Sequence, residues 1–116
     1  MRHRKKGKIL SRKTGPRIAL FKNLAASLVI YEKIKTTEAK AKVLRGVVEK
    51  IITKGKINNL TTYRSLLAYL PERTTAKKVL EVLSPKYKER NGGYTQTIKL
   101  GRRRGDGAEM VLIKFV

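Results

Sequence analysis

The sequence predicts a single α+β domain, ordered helix, strand, three helices and two strands, behind a basic N-terminal extension. Three observations carry this reading. Apolar residues recur at three- and four-residue spacings from Ile18 to Leu83, which is the helical period. Between Tyr94 and Phe115 the period switches to two, that of a strand. Met1 to Arg17 carries Arg2, His3, Arg4, Lys5, Lys6, Lys8, Arg12, Lys13 and Arg17, no acidic residue and almost no apolar content, so it cannot offset the entropy of its own ordering without a polyanion. A length of 116 residues suits one domain, residues 1–116, with 1–15 as the extension and 16–116 as the globular part.

Gly15-Pro16 closes the extension and opens the first helix, because proline at the first helical position has the required φ and needs no amide partner. Ile18, Phe21, Leu24, Ala25 and Leu28 form its apolar stripe, and it runs to about Tyr31. Residues beyond Pro16 are therefore expected to be ordered by the core. Lys33-Ile34-Lys35-Thr36 is too short and too β-branched for a helix and reads as a strand, after which Thr36 or Thr37 caps the second helix. Ala41, Leu44, Val48 and Ile51 share one face of that helix, Glu38 complements the dipole in its first turn, and Gly55 is its stop signal. Gly46 lies inside it at a cost of about 1 kcal/mol relative to alanine. Close packing against another backbone is favoured as the reason over close approach to a phosphate.

Asn58 or Asn59 caps a third helix carrying Leu60, Tyr63, Leu66, Leu67 and Leu70, which Pro71 ends. Thr74 or Thr75 caps a fourth with Ala76, Val79, Leu80 and Leu83, and Ser84-Pro85 starts one more short turn that ends at Asn91-Gly92-Gly93. Two strands then form a hairpin. Tyr94, Gln96, Ile98 and Leu100 alternate with Thr95, Thr97 and Lys99, and Met110, Leu112 and Lys114 alternate with Val111, Ile113 and Phe115. Their connection, Gly101 to Ala108, is glycine-rich and holds Arg102, Arg103 and Arg104, so its tip is expected to project and flex.

The charge identifies the partner class. Lys and Arg total 29 against 8 Asp and Glu, a formal charge of +21, and the eight Lys and Arg of the first seventeen residues leave +13 on the rest. Such an excess speaks for a polyanionic partner. Three consecutive guanidinium groups between glycines suit bidentate contact with phosphates. Tyr94, next to Gly92-Gly93, either stacks on an unpaired base or begins the core face of its strand. Catalysis is not expected: the one histidine, His3, lies in the extension, and the scattered carboxylates form no catalytic pair and no metal-ligand spacing. The absence of cysteine removes disulfides, thiolate zinc sites and cysteine nucleophiles, and no cofactor is implied. Gly101 to Gly107 lacks the ending of a phosphate-binding P-loop and joins strand to strand. No apolar run is long enough to span a membrane, and the basic start imitates a signal peptide only loosely, so a mature cytoplasmic protein is expected. With no helix-turn-helix or zinc-knuckle spacing, folded RNA suits the composition better than duplex DNA. A DNA-compacting protein and a basic binder of membrane surfaces are the rival classes.

Several segments resemble one family. These are Met1-Arg2-His3-Arg4-Lys5, Arg17 to Ala25 with Ser27-Leu28, Glu32 to Thr37 with Ala39-Lys40-Ala41, and Leu44-Arg45 with Val47-Val48-Glu49. Gly92-Gly93-Tyr94-Thr95 and Arg104-Gly105-Asp106 with Ala108 and Met110 complete the set. In order and spacing they are similar to the bacterial-type large-subunit ribosomal protein number seventeen. Gly15-Pro16 and Glu109 depart from that family's pattern. The resemblance implies a two-layer arrangement of helices and sheet and a structural, non-enzymatic role with no small-molecule substrate. It also implies binding to 23S ribosomal RNA near the outer opening of the peptide tunnel, beside neighbouring ribosomal proteins, and support of subunit assembly. The matching positions expected to touch RNA are Arg2, His3, Arg4, Lys5, Lys6, Lys8, Arg12 and Lys13 in the extension, Arg17, Lys22 and Asn23 in the first helix, Lys35, Thr36 and Lys40 after it, and Tyr94, Arg102, Arg103 and Arg104 in the hairpin.

Overall fold

The computed structural model describes residues 14–70 and 72–116. Its first helix, α1 (Thr14–Tyr31), begins two residues before Pro16. The first four amides of a helix have no intrahelical acceptor, so proline in the third position forfeits no bond. None of residues 15–20 is buried, and Ile18 is 48% exposed. From Phe21 onward the helix turns Ala25, Leu28 and Val29 into the core. The core therefore holds the chain from Phe21 rather than from Pro16, and the start of α1 projects beyond it.

The next two helices start where side chains satisfy free amides. Thr37 Oγ1 accepts the Lys40 amide at 3.4 Å at the head of α2 (Glu38–Gly55), and Asn59 Oδ1 accepts the Thr62 amide at 2.8 Å at the head of α3 (Leu60–Tyr69). The head of α4 (Arg73–Lys78) differs from the sequence reading: Glu72 precedes it without a side-chain cap, and Thr75 is buried inside it. Ser84-Pro85 does start a short turn, but one continuous with the helix before it. The helix runs on through a π-helical turn, Val79–Leu83, into a last turn, Ser84–Lys86. Proline has no amide to donate, and the ladder just before it widens so that the Ser84 amide bonds the Val79 carbonyl.

That wide turn packs on the end of α2. Ser84 Oγ donates to the buried Ile52 carbonyl at 3.0 Å, and a Cβ at Gly55 would overlap Ser84 Oγ and come within 2.9 Å of Val79 Cγ1. Close packing, rather than a left-handed stop, explains Gly55. At Gly46 the opposite holds: it is exposed, and a Cβ there would meet nothing within 4 Å. The packing role expected at Gly46 belongs to Gly55, one face of α2 being covered and the other open.

The strands β1 (Lys33–Thr37), β2 (Thr95–Arg102) and β3 (Glu109–Phe115) form an antiparallel sheet with β3 in the centre. The register pairs Ile34 with Ile113, Thr36 with Val111 and Thr95 with Phe115. These are the residues of the sheet's inner face, and Val111, Ile113 and Phe115 meet the helices there. The core joins Leu28, Leu44, Val48, Ile52, Leu66, Leu83, Tyr94 and Ile113, so helices form one layer and the sheet the other.

Candidate nucleic-acid interface

Past Thr95 every residue of β2 is exposed, so the hairpin holds its arginines away from the core. Its tip is a closed loop rather than a loose one. The Arg103 amide donates to the Ala108 carbonyl at 2.8 Å and the Gly107 amide to the Arg103 carbonyl at 3.1 Å. Asp106 Oδ1 accepts from Arg103 Nε and from the Ala108 amide, each at 3.2 Å, while Arg103 Nη2 bonds the other carboxylate oxygen. Gly105 and Gly107 have φ of 99° and 67°, values that suit glycine and let the chain turn so tightly. The Arg103 guanidinium, followed by the Ala108 amide, holds the Asp106 carboxyl down to about 2, and the same contact raises the Arg103 pKa.

The three arginines are therefore not equivalent. Arg103 is engaged in shaping the loop, whereas Arg102 and Arg104 are exposed and make no ion pair with the described residues. The register sets Thr37 and Gly101 against Met110 from opposite sides, which places the tip beside the start of α2. Lys42 lies there, 3.5 Å from Glu38, whose pKa is lowered by its hydrogen bond with Glu109 and then by Lys42. Lys35 is exposed on the outer face of β1, opposite Leu112, and half-buried Lys40 lies in the first turn of α2. A second group lies along α1: Arg17 is half-buried, Asn23 is exposed, and Lys22 Nζ stands 5.5 Å from the ring centroid of Tyr69 in α3.

Two expected contacts are corrected. Thr36 faces the helices and is buried, because it occupies the inner face opposite Val111. Tyr94 is 1% exposed and cannot stack on a base. Its hydroxyl donates to the Arg90 carbonyl at 3.1 Å and lies 3.3 Å from Thr53 Oγ1, and its ring centroid is 5.2 Å from that of Tyr87. Of the two readings left open for Tyr94, the core one holds. Arg2, His3, Arg4, Lys5, Lys6, Lys8, Arg12 and Lys13 lie outside the described residues.

The sequence reading missed how the hairpin is anchored. Glu49 Oε1 accepts the Tyr94 amide at 3.2 Å, while Glu49 Oε2 lies 3.7 Å from Arg45 Nε. The segments Leu44 to Glu49 and Gly92 to Thr95 thus meet through one carboxylate. The only hint in the sequence was a glutamate directly after a core valine on a basic helix. Among the described residues, no three histidine, cysteine, aspartate or glutamate side chains gather to hold a metal ion. Nor is any described helix long and apolar enough to cross a membrane.

The family model for ribosomal protein L17 matches residues 20–116. The chain belongs to that family. Its members are structural, non-enzymatic components of the ribosome. A Trichlorobacter lovleyi protein named "Large ribosomal subunit protein bL17" is 47% identical over 116 residues, covering all of this chain and 94% of its own length. One of the same name from Pelobacter propionicus is 48% identical over 116 residues, again covering all of this chain and 91% of its own. Another, from Desulfitobacterium hafniense, is 50% identical over 107 residues, covering 92% of this chain and 96% of its own. The family match includes Lys22, Asn23, Lys35, Lys40 and the whole hairpin.

Proposed function

We propose that the protein is a structural constituent of the large ribosomal subunit that binds 23S rRNA, neutralising and clamping RNA segments that would otherwise repel one another. One contact is the hairpin tip with the start of α2, and the other is the basic N-terminal extension leading into α1. The proposed setting is the cytoplasmic large subunit near the outer opening of the peptide tunnel, beside other ribosomal proteins, in support of subunit assembly and translation.

The observation that carries this reading is the division of labour within the tip. Arg103 and Asp106 fix the loop, so Arg102 and Arg104 are presented on a preformed scaffold and little order remains to be gained on binding. Guanidinium groups held in this way suit phosphate oxygens. Open Gly46, with exposed Lys42, Arg45 and Lys50 around it on α2, removes the packing explanation for that glycine and is compatible with close approach of a sugar–phosphate chain.

Competition between 23S rRNA fragments and plain duplex DNA for the full chain, at one fixed salt concentration, tests the reading. Preference for RNA is expected, and preference for the duplex contradicts it in favour of a DNA-compacting role. In cell extract, the protein should stay with the large subunit through a high-salt wash.

A further inference from the structure

The face of the sheet turned away from the helices differs chemically from the arginine tip. The register aligns Lys35, Leu112 and Ile98 across the three strands, with Met110 and Leu100 next along toward the tip. The irregularity between Lys99 and Gly101 sets both Leu100 and Gly101 against Met110. Strands about 4.8 Å apart place Ile98, Leu100, Met110 and Leu112 in one contiguous aliphatic patch. Ile98 is 37% and Leu100 47% exposed, and no described helix covers them.

Lys33, Lys35 and Lys114 flank this patch, with Lys33 and Lys114 directly paired. No carboxylate of the described strands shares the face: Glu109 alternates to the other side, where it meets Glu38, and Glu32 pairs with Lys78 on α4. The complement is a surface with aliphatic side chains at its centre and carboxylates at its rim. RNA supplies anions without aliphatic groups, whereas a polypeptide supplies both. In addition, β2 is an edge strand, so its outer backbone groups lie open beside Ile98 and Leu100 and suit another extended chain.

We infer that this outer sheet face is a docking surface for a neighbouring protein, one that presents aliphatic side chains ringed by aspartate or glutamate, while the arginine tip faces RNA. The inference rests on the ribosomal reading above and assigns a separate surface to a separate class of partner.

Photo-crosslinking in assembled particles tests it. Full-length protein carrying benzoylphenylalanine at Leu100, and a second form carrying it at Arg104, are incorporated into large subunits and irradiated. The Leu100 probe is expected to join another protein and the Arg104 probe to join rRNA. A Leu100 adduct with rRNA, an adduct with residues 1–13 of the same chain, or no adduct overturns the docking inference while leaving the RNA-binding reading intact. Failure of the unsubstituted chain to enter large subunits overturns the ribosomal reading and the inference with it. Leu100→Lys provides a second readout. Affinity of the isolated chain for rRNA should not fall, whereas retention in the subunit should drop about fivefold or more, as for a residue central to an interface. Unchanged retention contradicts the inference.

Discussion

The two ends of the β2–β3 hairpin obey different physics. At the root, Tyr94 and Phe115 lie in an aromatic cluster with Tyr87, and the Tyr87 hydroxyl donates to the Val116 carbonyl at 2.7 Å. The Glu49 carboxylate receives the Tyr94 amide from across the core. At the tip, by contrast, every polar contact from Arg103 to Ala108 is made within the loop itself, and the side chains face solvent. A single supersecondary element thus fastens to the core at one end and offers a preformed ligand at the other. Stability and affinity should therefore separate along its length.

The largest expected effect breaks the root. Tyr94→Ala removes a buried ring and should cost about 3–5 kcal/mol in chemical denaturation. A cost near zero would mean that the ring is not part of the core and would reopen the base-stacking role. A smaller effect transfers the same contrast to α2. Gly55→Ala forces a Cβ into Ser84 and Val79 and should cost about 1–3 kcal/mol, whereas Gly46→Ala, with open space around it, should gain up to about 1 kcal/mol. If Gly46→Ala also weakens rRNA binding, the open face of α2 approaches RNA closely. Equal effects at the two glycines would contradict the assignment of a packed and an open face.

The smallest effect is a titration of the tip. Asp106 has its pKa depressed from 3.8 to about 2, so the Arg103–Asp106 contact favours the closed loop fully above about pH 4 and fades as pH falls toward 2. Amide NMR signals of Gly105 and Gly107 should hold steady from pH 7 to about 4 and shift below it. Asp106→Asn should remove that acid transition without lowering the unfolding midpoint at pH 7. A shift centred at neutral pH would show that another group closes the loop.

Much of the fold was legible because its signals are local. Helical spacing, the caps at Thr37 and Asn59, and the alternation of Val111, Ile113 and Phe115 are set by near neighbours in the chain. What escaped depends on distant partners. The two glycines of α2 look alike in sequence, yet only the one opposite Ser84 is packed. Alternation put Ile98 and Leu100 on one face of β2 without telling which side the helices cover. The tip arginines were legible as a run of charge, but Arg103 is set apart by Asp106 three residues on, a pairing that needs the left-handed glycines between and after them. For the extension, charge and composition carry the argument.

The separation of stability from affinity is tested most directly by the double substitution Arg102→Ala/Arg104→Ala in the full chain. The measurement is the slope of log affinity for 23S rRNA against log salt, taken together with the thermal unfolding midpoint. Each lost phosphate contact should lower the slope by roughly 0.7 to 0.9, so the two arginines together should lower it by about 1.5, with the midpoint unchanged. An unchanged salt slope, or a fall in the midpoint comparable to that of Tyr94→Ala, would contradict the account.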